Sequence, residues 1–117
     1  MPSWKVVIPV VYPSANVLLR QHWAKRRSQI GKWAMVLQAL MAHVPPASGR
    51  RRFVRITRYG KRELDPANAW TGADKLIVDN LVRLGYLVDD SRRWLTLSVL
   101  SRKGQPERTE IEIRDPS

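Results

Sequence analysis

The chain has 117 residues, 44% hydrophobic and 26% charged, enough for one domain with a modest core. It contains no cysteine, which excludes a disulfide framework and a thiolate metal site, and its net charge is +11. No apolar run is long enough to span a membrane, and the proline-broken N-terminal run makes a poor signal peptide, so a cytoplasmic protein with no membrane partner is expected.

Trp4–Val11 is β-branched and apolar and predicts a strand, with Pro9 suggesting an edge position. Tyr12–Asn16 predicts a turn. From about Val17 to His43 the apolar residues Trp23, Ile30, Trp33, Val36, Leu37, Leu40 and Met41 recur at helical spacing, which predicts one helix with Trp23 and Trp33, like Trp94 further on, at core or interface positions. Arg20, Lys25, Arg26, Arg27 and Lys32 line the rest of it. Val44–Gly49 ends this helix, and Arg50–Gly60 predicts a strand with Val54, Ile56 and Arg58 on one face.

Lys61–Trp70 predicts a loop around Pro66. Thr71 and Asp74 match a capping box, which predicts a second helix from Thr71 to about Leu84, with Gly85 past its end. Its buried stripe is Ala73, Leu76, Ile77, Asn80, Leu81 and Leu84. Arg93–Ser101 and Arg108–Arg114 predict strands joined as a hairpin. The expected architecture is a single α+β domain, residues 1–117, in the order β-α-β-α-β-β, with a mixed or antiparallel sheet packed with two helices.

Charge is unevenly spread along these elements. Residues 1–62 carry thirteen basic side chains and no acidic one, whereas residues 63–117 carry eight basic and ten acidic. So large and lopsided a surplus favours a polyanion, chiefly through phosphate contacts. Lys25, Arg26, Arg27, Lys32, Arg50, Arg51, Arg52, Arg58, Lys61 and Arg62 are the candidate phosphate contacts. Trp70, beside the acidic stretch, is a candidate for stacking on an unpaired base, although a core or interface position is the commoner fate of such a residue.

The acidic residues gather around the second helix. Asp65 lies before it, Lys75 and Asp79 share a face one turn apart, and Asp89 and Asp90 lie beyond its far end. A strand returning beside the helix brings Asp90 towards Asp65. Carboxylates gathered in a basic surface suit Mg²⁺, a hard ion that prefers carboxylate and phosphate oxygens. Each piece also has an ordinary structural reading: Lys75–Asp79 as a helix ion pair, Asp74 as a capping residue, and Asp65-Pro66 and Asp89-Asp90-Ser91 as turns.

The order of these residues resembles the RusA-type Holliday-junction resolvases. Their signature is a basic residue, Asp-x-Asp-Asn, a helix with Lys-x-x-x-Asp-x-Leu, a glycine and a closing Asp-Asp. Here Arg62 precedes Asp65-Pro66-Ala67-Asn68, and Lys75-Leu76-Ile77-Val78-Asp79-Asn80-Leu81, Gly85-Tyr86 and Asp89-Asp90 follow. Pro13-Ser14-Ala15-Asn16 is similar to the turn that follows the family's first strand. The resemblance implies a homodimer, often phage- or prophage-encoded, that resolves four-way DNA junctions by paired, Mg²⁺-dependent nicks.

Carried over position by position, Asp65 and Asp90 match metal-holding catalytic aspartates and Lys75 the catalytic lysine. Asp79 matches the helix aspartate and Asn68 the motif asparagine. Ala67 stands where the motif has its second aspartate, and a methyl group cannot ligand a metal, so the resemblance implies impaired cleavage in this chain. Three accounts of Ala67 stand side by side: a deliberate substitution, a natural loss of chemistry, or a missing oxygen supplied by Glu63 or Asp74. The alternatives to a nuclease are an inactive branched-DNA-binding protein on the same fold and a basic RNA-binding module.

Overall fold

A computed structural model describes residues 2–116. Strands β1 (Ser3–Ile8), β2 (Arg52–Gly60), β3 (Leu95–Lys103) and β4 (Arg108–Arg114) form one mixed sheet in the order β1-β4-β2-β3. The fold is α+β, as expected, with β1 at one edge, where Pro9 follows its last residue. β4 runs antiparallel to both β1 and β2, while β2 and β3 are parallel. The expected β3–β4 hairpin is therefore absent. The two strands flank β2 on opposite sides, and their connection crosses the end of β2, where the Gly104 amide donates to the Gly60 carbonyl at 3.1 Å. Alternation specifies which face a residue occupies and leaves open which strand lies beside it.

The predicted first helix is two. α1 (Ala15–Arg20) is capped by the Ser14 hydroxyl, and α2 (Trp23–Leu40) by His22, whose ring nitrogen accepts from the Ala24 amide at 3.2 Å. Gln21 and His22 are extended at the junction, and one register of apolar spacing across it conceals the break. Trp33 and Leu37 are buried along α2, but Trp23 is exposed, which removes it from the core, one of the two positions that its spacing allows.

The second helical segment starts five residues earlier than predicted. α3 (Pro66–Ala73) is capped by Asp65, with Pro66 in the first turn, where its missing N–H costs nothing. The Thr71–Asp74 capping box does not form, and the second half of the predicted loop, Pro66–Trp70, is helix. α3 continues without a break through one π-helical turn (Asp74–Val78) into α4 (Asp79–Arg83), and Gly85 follows in the left-handed region at φ 88°. Together these form the crossover that parallel strands β2 and β3 require.

Apolar side chains from the sheet and helices meet in one core, including Val6, Ile8, Val54, Ile56, Ile111 and Ile113 from the strands and Leu18, Trp33, Leu37, Leu76, Ile77 and Leu81 from the helices. Tyr12 ties the start of α3 to this core. Its hydroxyl donates to the Ala69 carbonyl at 3.1 Å, and burial pushes its pKa to about 12. Gly72 is required at the same contact: a Cβ there would lie 2.6 Å from the Pro13 carbonyl oxygen. Arg52, expected as a phosphate contact, is instead buried in the core, 1% exposed, and is the one such cation among the described residues. Its Nε donates to Asp115 at 2.7 Å, and its other nitrogens donate to the Pro45, Pro46 and Tyr86 carbonyls. No described helix is long and apolar enough to cross a membrane.

Candidate metal centre

Asp74, Asp79 and Asp90 come together, with one carboxylate oxygen of each within 4.8 Å of the others. The π turn makes this possible. In an α-helix, residues five apart are rotated by about 140° around the axis. Here the Asp79 amide donates to the Asp74 carbonyl, an i to i+5 bond, which brings the two residues onto one face. Buried Leu76, Ile77 and Val78 fill the inner side of the widened turn. The Asn80 side chain braces it by donating to the Leu76 carbonyl at 2.7 Å and the Ile30 carbonyl of α2 at 3.1 Å.

Asp90 arrives from the segment that turns back after α4. Gly85 reverses the chain, Leu87 anchors it in the core, and the Ser91 carbonyl accepts from the Trp94 and Leu95 amides at the start of β3. Among the described residues none of the three carboxylates has a cation within ion-pair distance, and no Lys75–Asp79 pair forms. Burial raises the Asp74 pKa, and the charges of Asp79 and Asp90 raise it further; Lys75 opposes them. Burial and the charge of Asp90 raise that of Asp79 against Lys75 and Arg83.

Asp65 lies outside this group, contrary to the expectation that the returning chain brings Asp90 to it. The eight residues of α3 separate Asp65 from Asp74, nine positions on and about 13 Å along the axis. One metal ion, with ligand oxygens at about 2.1 Å, cannot span that gap. Asp65 is instead bound to Asn68, whose amide donates to Oδ1 at 3.0 Å and whose side chain donates to Oδ2. These two bonds hold the Asp65 pKa below its ordinary value. Ala67 is exposed in the first turn of α3, beside Asp65 and far from the acidic group.

Two grooves meet at the three aspartates. Asp74 and Asp90 line one of them with Trp70, Arg51 and Arg92. Asp79 lines the other with Lys75, Arg83, Arg26, Arg27 and Trp23. Of the predicted phosphate contacts, Arg26 and Arg27 lie here, and Lys25 is exposed next to them on α2. Lys32 faces a separate apolar groove with Trp33 and Met35. Arg58, Lys61 and Arg62 line a third depression with Pro13 and Ser14. Arg58 is tied into the fold, its Nε donating to the Tyr12 carbonyl at 2.8 Å, and burial lowers its pKa.

Asp74 enters the sequence reading only as a capping residue or as one of two residues that could supply the oxygen missing at Ala67, because α-helical spacing does not place it beside Asp79. Arg83 and Arg92 also join the acidic residues without any local pattern that announces them, whereas Arg51 is an expected phosphate contact. No family model matches the chain, and no curated protein matches it.

Proposed function

We propose that this protein is a Mg²⁺-dependent endodeoxyribonuclease that acts on branched DNA, four-way junctions above all, as a cytoplasmic homodimer. The observation that carries the reading is the gathering of Asp74, Asp79 and Asp90 within 4.8 Å on a surface rich in arginine. The resemblance of motif order to RusA-type resolvases supports the same chemistry. Three hard oxygen donors, unpaired with any described cation, fit a divalent metal ion.

Mg²⁺ bound there would supply Lewis acidity towards a phosphodiester. The protein's own groups do the rest. Asp74, Asp79 and Asp90 hold the ion, with Asp74 filling the role that Ala67 leaves vacant in the family motif. Lys75 and Arg83, along the Asp79 groove, stabilise negative charge on the phosphate as water adds and the bridging P–O bond breaks. Arg51 and Arg92, in the other groove, hold the flanking backbone without reading sequence. Two copies related by a two-fold axis present one such centre to each strand of a junction, whose own symmetry is two-fold.

The second reading is junction binding without cleavage, favoured by Ala67 and by the binding of Asp65 to Asn68. A nicking assay on a synthetic four-way junction separates the two. With Mg²⁺, the chain as given is expected to make paired nicks, and Asp79→Asn and Asp90→Asn are each expected to lose them. If only Ala67→Asp cuts, the centre lies at Asp65 rather than Asp74. If neither protein cuts but both bind the junction tightly, the binder reading replaces the enzyme.

A further inference from the structure

Trp23 opens α2 with 58% of its surface exposed, an expensive position for the largest apolar side chain unless something covers it. Its ring is nevertheless held in place. The Arg27 guanidinium carbon lies 5.0 Å from the ring centroid, and the ring of His22, fixed by its capping bond, lies 5.4 Å away. The first turns of α2 carry Lys25, Arg26 and Arg27 and no acid. Cations at a helix N-terminus oppose the helix dipole, so this placement lowers local stability unless an anion binds there. Conflicts of this kind between local preference and observed sequence are expected at functional positions.

The groove beside Trp23 is about 710 Å³, within the roughly 300–1,000 Å³ range of small-ligand sites. Its lining holds four cations, Arg26, Arg27, Lys75 and Arg83, against one carboxylate, Asp79. We infer that Trp23 is a stacking platform for an unpaired nucleobase, with the adjoining phosphates on these four cations, so that the DNA strand entering at Asp79 is single-stranded or splayed. This deepens the nuclease reading and rests on it for the role of Asp79. A second copy of the chain is the poorer occupant, because a symmetric contact through this patch would set its cations against each other.

The test is fluorescence-anisotropy binding at fixed low salt without divalent metal, using a labelled short oligothymidylate and a blunt duplex. Trp23→Ala is expected to weaken oligothymidylate binding about ten-fold while duplex binding stays within about two-fold, since stacking acts only on exposed base faces. Trp23→Phe is expected to recover most of the loss. Equal losses on both ligands, or no loss on either, would overturn the inference. So would sedimentation showing that Trp23→Ala splits a dimer while oligothymidylate affinity is unchanged. Because no cleavage is measured, the two readings fail separately. Absence of junction nicking with the Trp23 effect intact removes only the nuclease, and nicking without that effect removes only the platform.

Discussion

Asp115 and the Asp74–Asp79–Asp90 group are carboxylates in the same strongly basic chain, in opposite surroundings. Asp115 is buried, with the Arg52 Nε at 2.7 Å and the Arg50 guanidinium at 3.5 Å, and Arg52 spends its other donors on three carbonyls. The three clustered aspartates face one another, with no described cation in ion-pair reach. With twenty-one basic side chains available, pairing them needed only a nearby arginine. The difference teaches that the Arg52–Asp115 pair fastens the C-terminal segment to the fold, whereas the triad has no described ion-pair partner, a place that the proposed reading gives to Mg²⁺.

The largest effect expected from this contrast is on stability. Asp115→Ala strands the Arg52 charge in the core and is expected to cost about 3–5 kcal/mol in urea unfolding. A loss well under 1 kcal/mol would mean that the three carbonyls suffice for Arg52 and that the two regions differ less than they look. Next is the response to metal. Mg²⁺ at ten times its dissociation constant is expected to stabilise the protein by about 1.4 kcal/mol, visible as a rise in thermal midpoint. Asp79→Asn is expected to abolish that rise, and Asp115→Ala to leave it in place.

The pH dependence is smaller and sharpens the comparison from the other side. Asp74 and Asp79 hold their protons more tightly folded than unfolded. Their contribution to stability therefore falls as pH rises from the ordinary carboxylate value of 3.8 through their raised folded values. Asp65 and Glu110, whose pKa values are lowered, work in the opposite sense: they stabilise above their unfolded values and lose this as pH falls. The difference between the protein and Asp79→Asn isolates the triad. In metal-free buffer Asp79→Asn is expected to gain stability relative to the parent as pH rises through that window, and saturating Mg²⁺ is expected to remove the gain. The smallest effect is that of Ala67→Asp. An acid in the first turn of α3 favours the helix by about 0.3–1 kcal/mol and is expected to leave the Mg²⁺ response unchanged.

Much of the scaffold follows from local pattern, and the site does so only in part. Alternating threonine, glutamate and isoleucine in Arg108–Arg114 marks β4 with its observed bounds, and Gly85 marks the helix end. Asp65-Pro66 is a sound helix start, but Thr71 and Asp74 compose a second one five residues on, and only the contacts of Tyr12 and Gly72 with α3 select the first. The acidic group is harder to read because a π turn has no sequence period of its own. Counting in steps of three and four pairs Asp79 with Lys75, whereas the structure pairs it with Asp74. Trp23 fits the apolar register of a continuous helix, and the break at Gln21 and His22 leaves it on the surface.

The place of β4 in the sheet also governs when the molecule can form. Among the described residues β1 pairs with β4 alone, and β2 meets β4 along one side, so the earliest and latest strands in the chain are neighbours. During synthesis, β1, both early helices, β2 and the acidic crossover exist before β4, the inner strand that joins β1 to β2, has been made. Until residues 108–114 emerge, Ile8 and Val54 lack the Ile111 and Ile113 surface that completes their core, and the edges of β1 and β2 stay open to wrong pairing. Assembly is therefore expected to be late and abrupt, dominated by one long-range closure, with a basic N-terminal half waiting unfolded for its last strand.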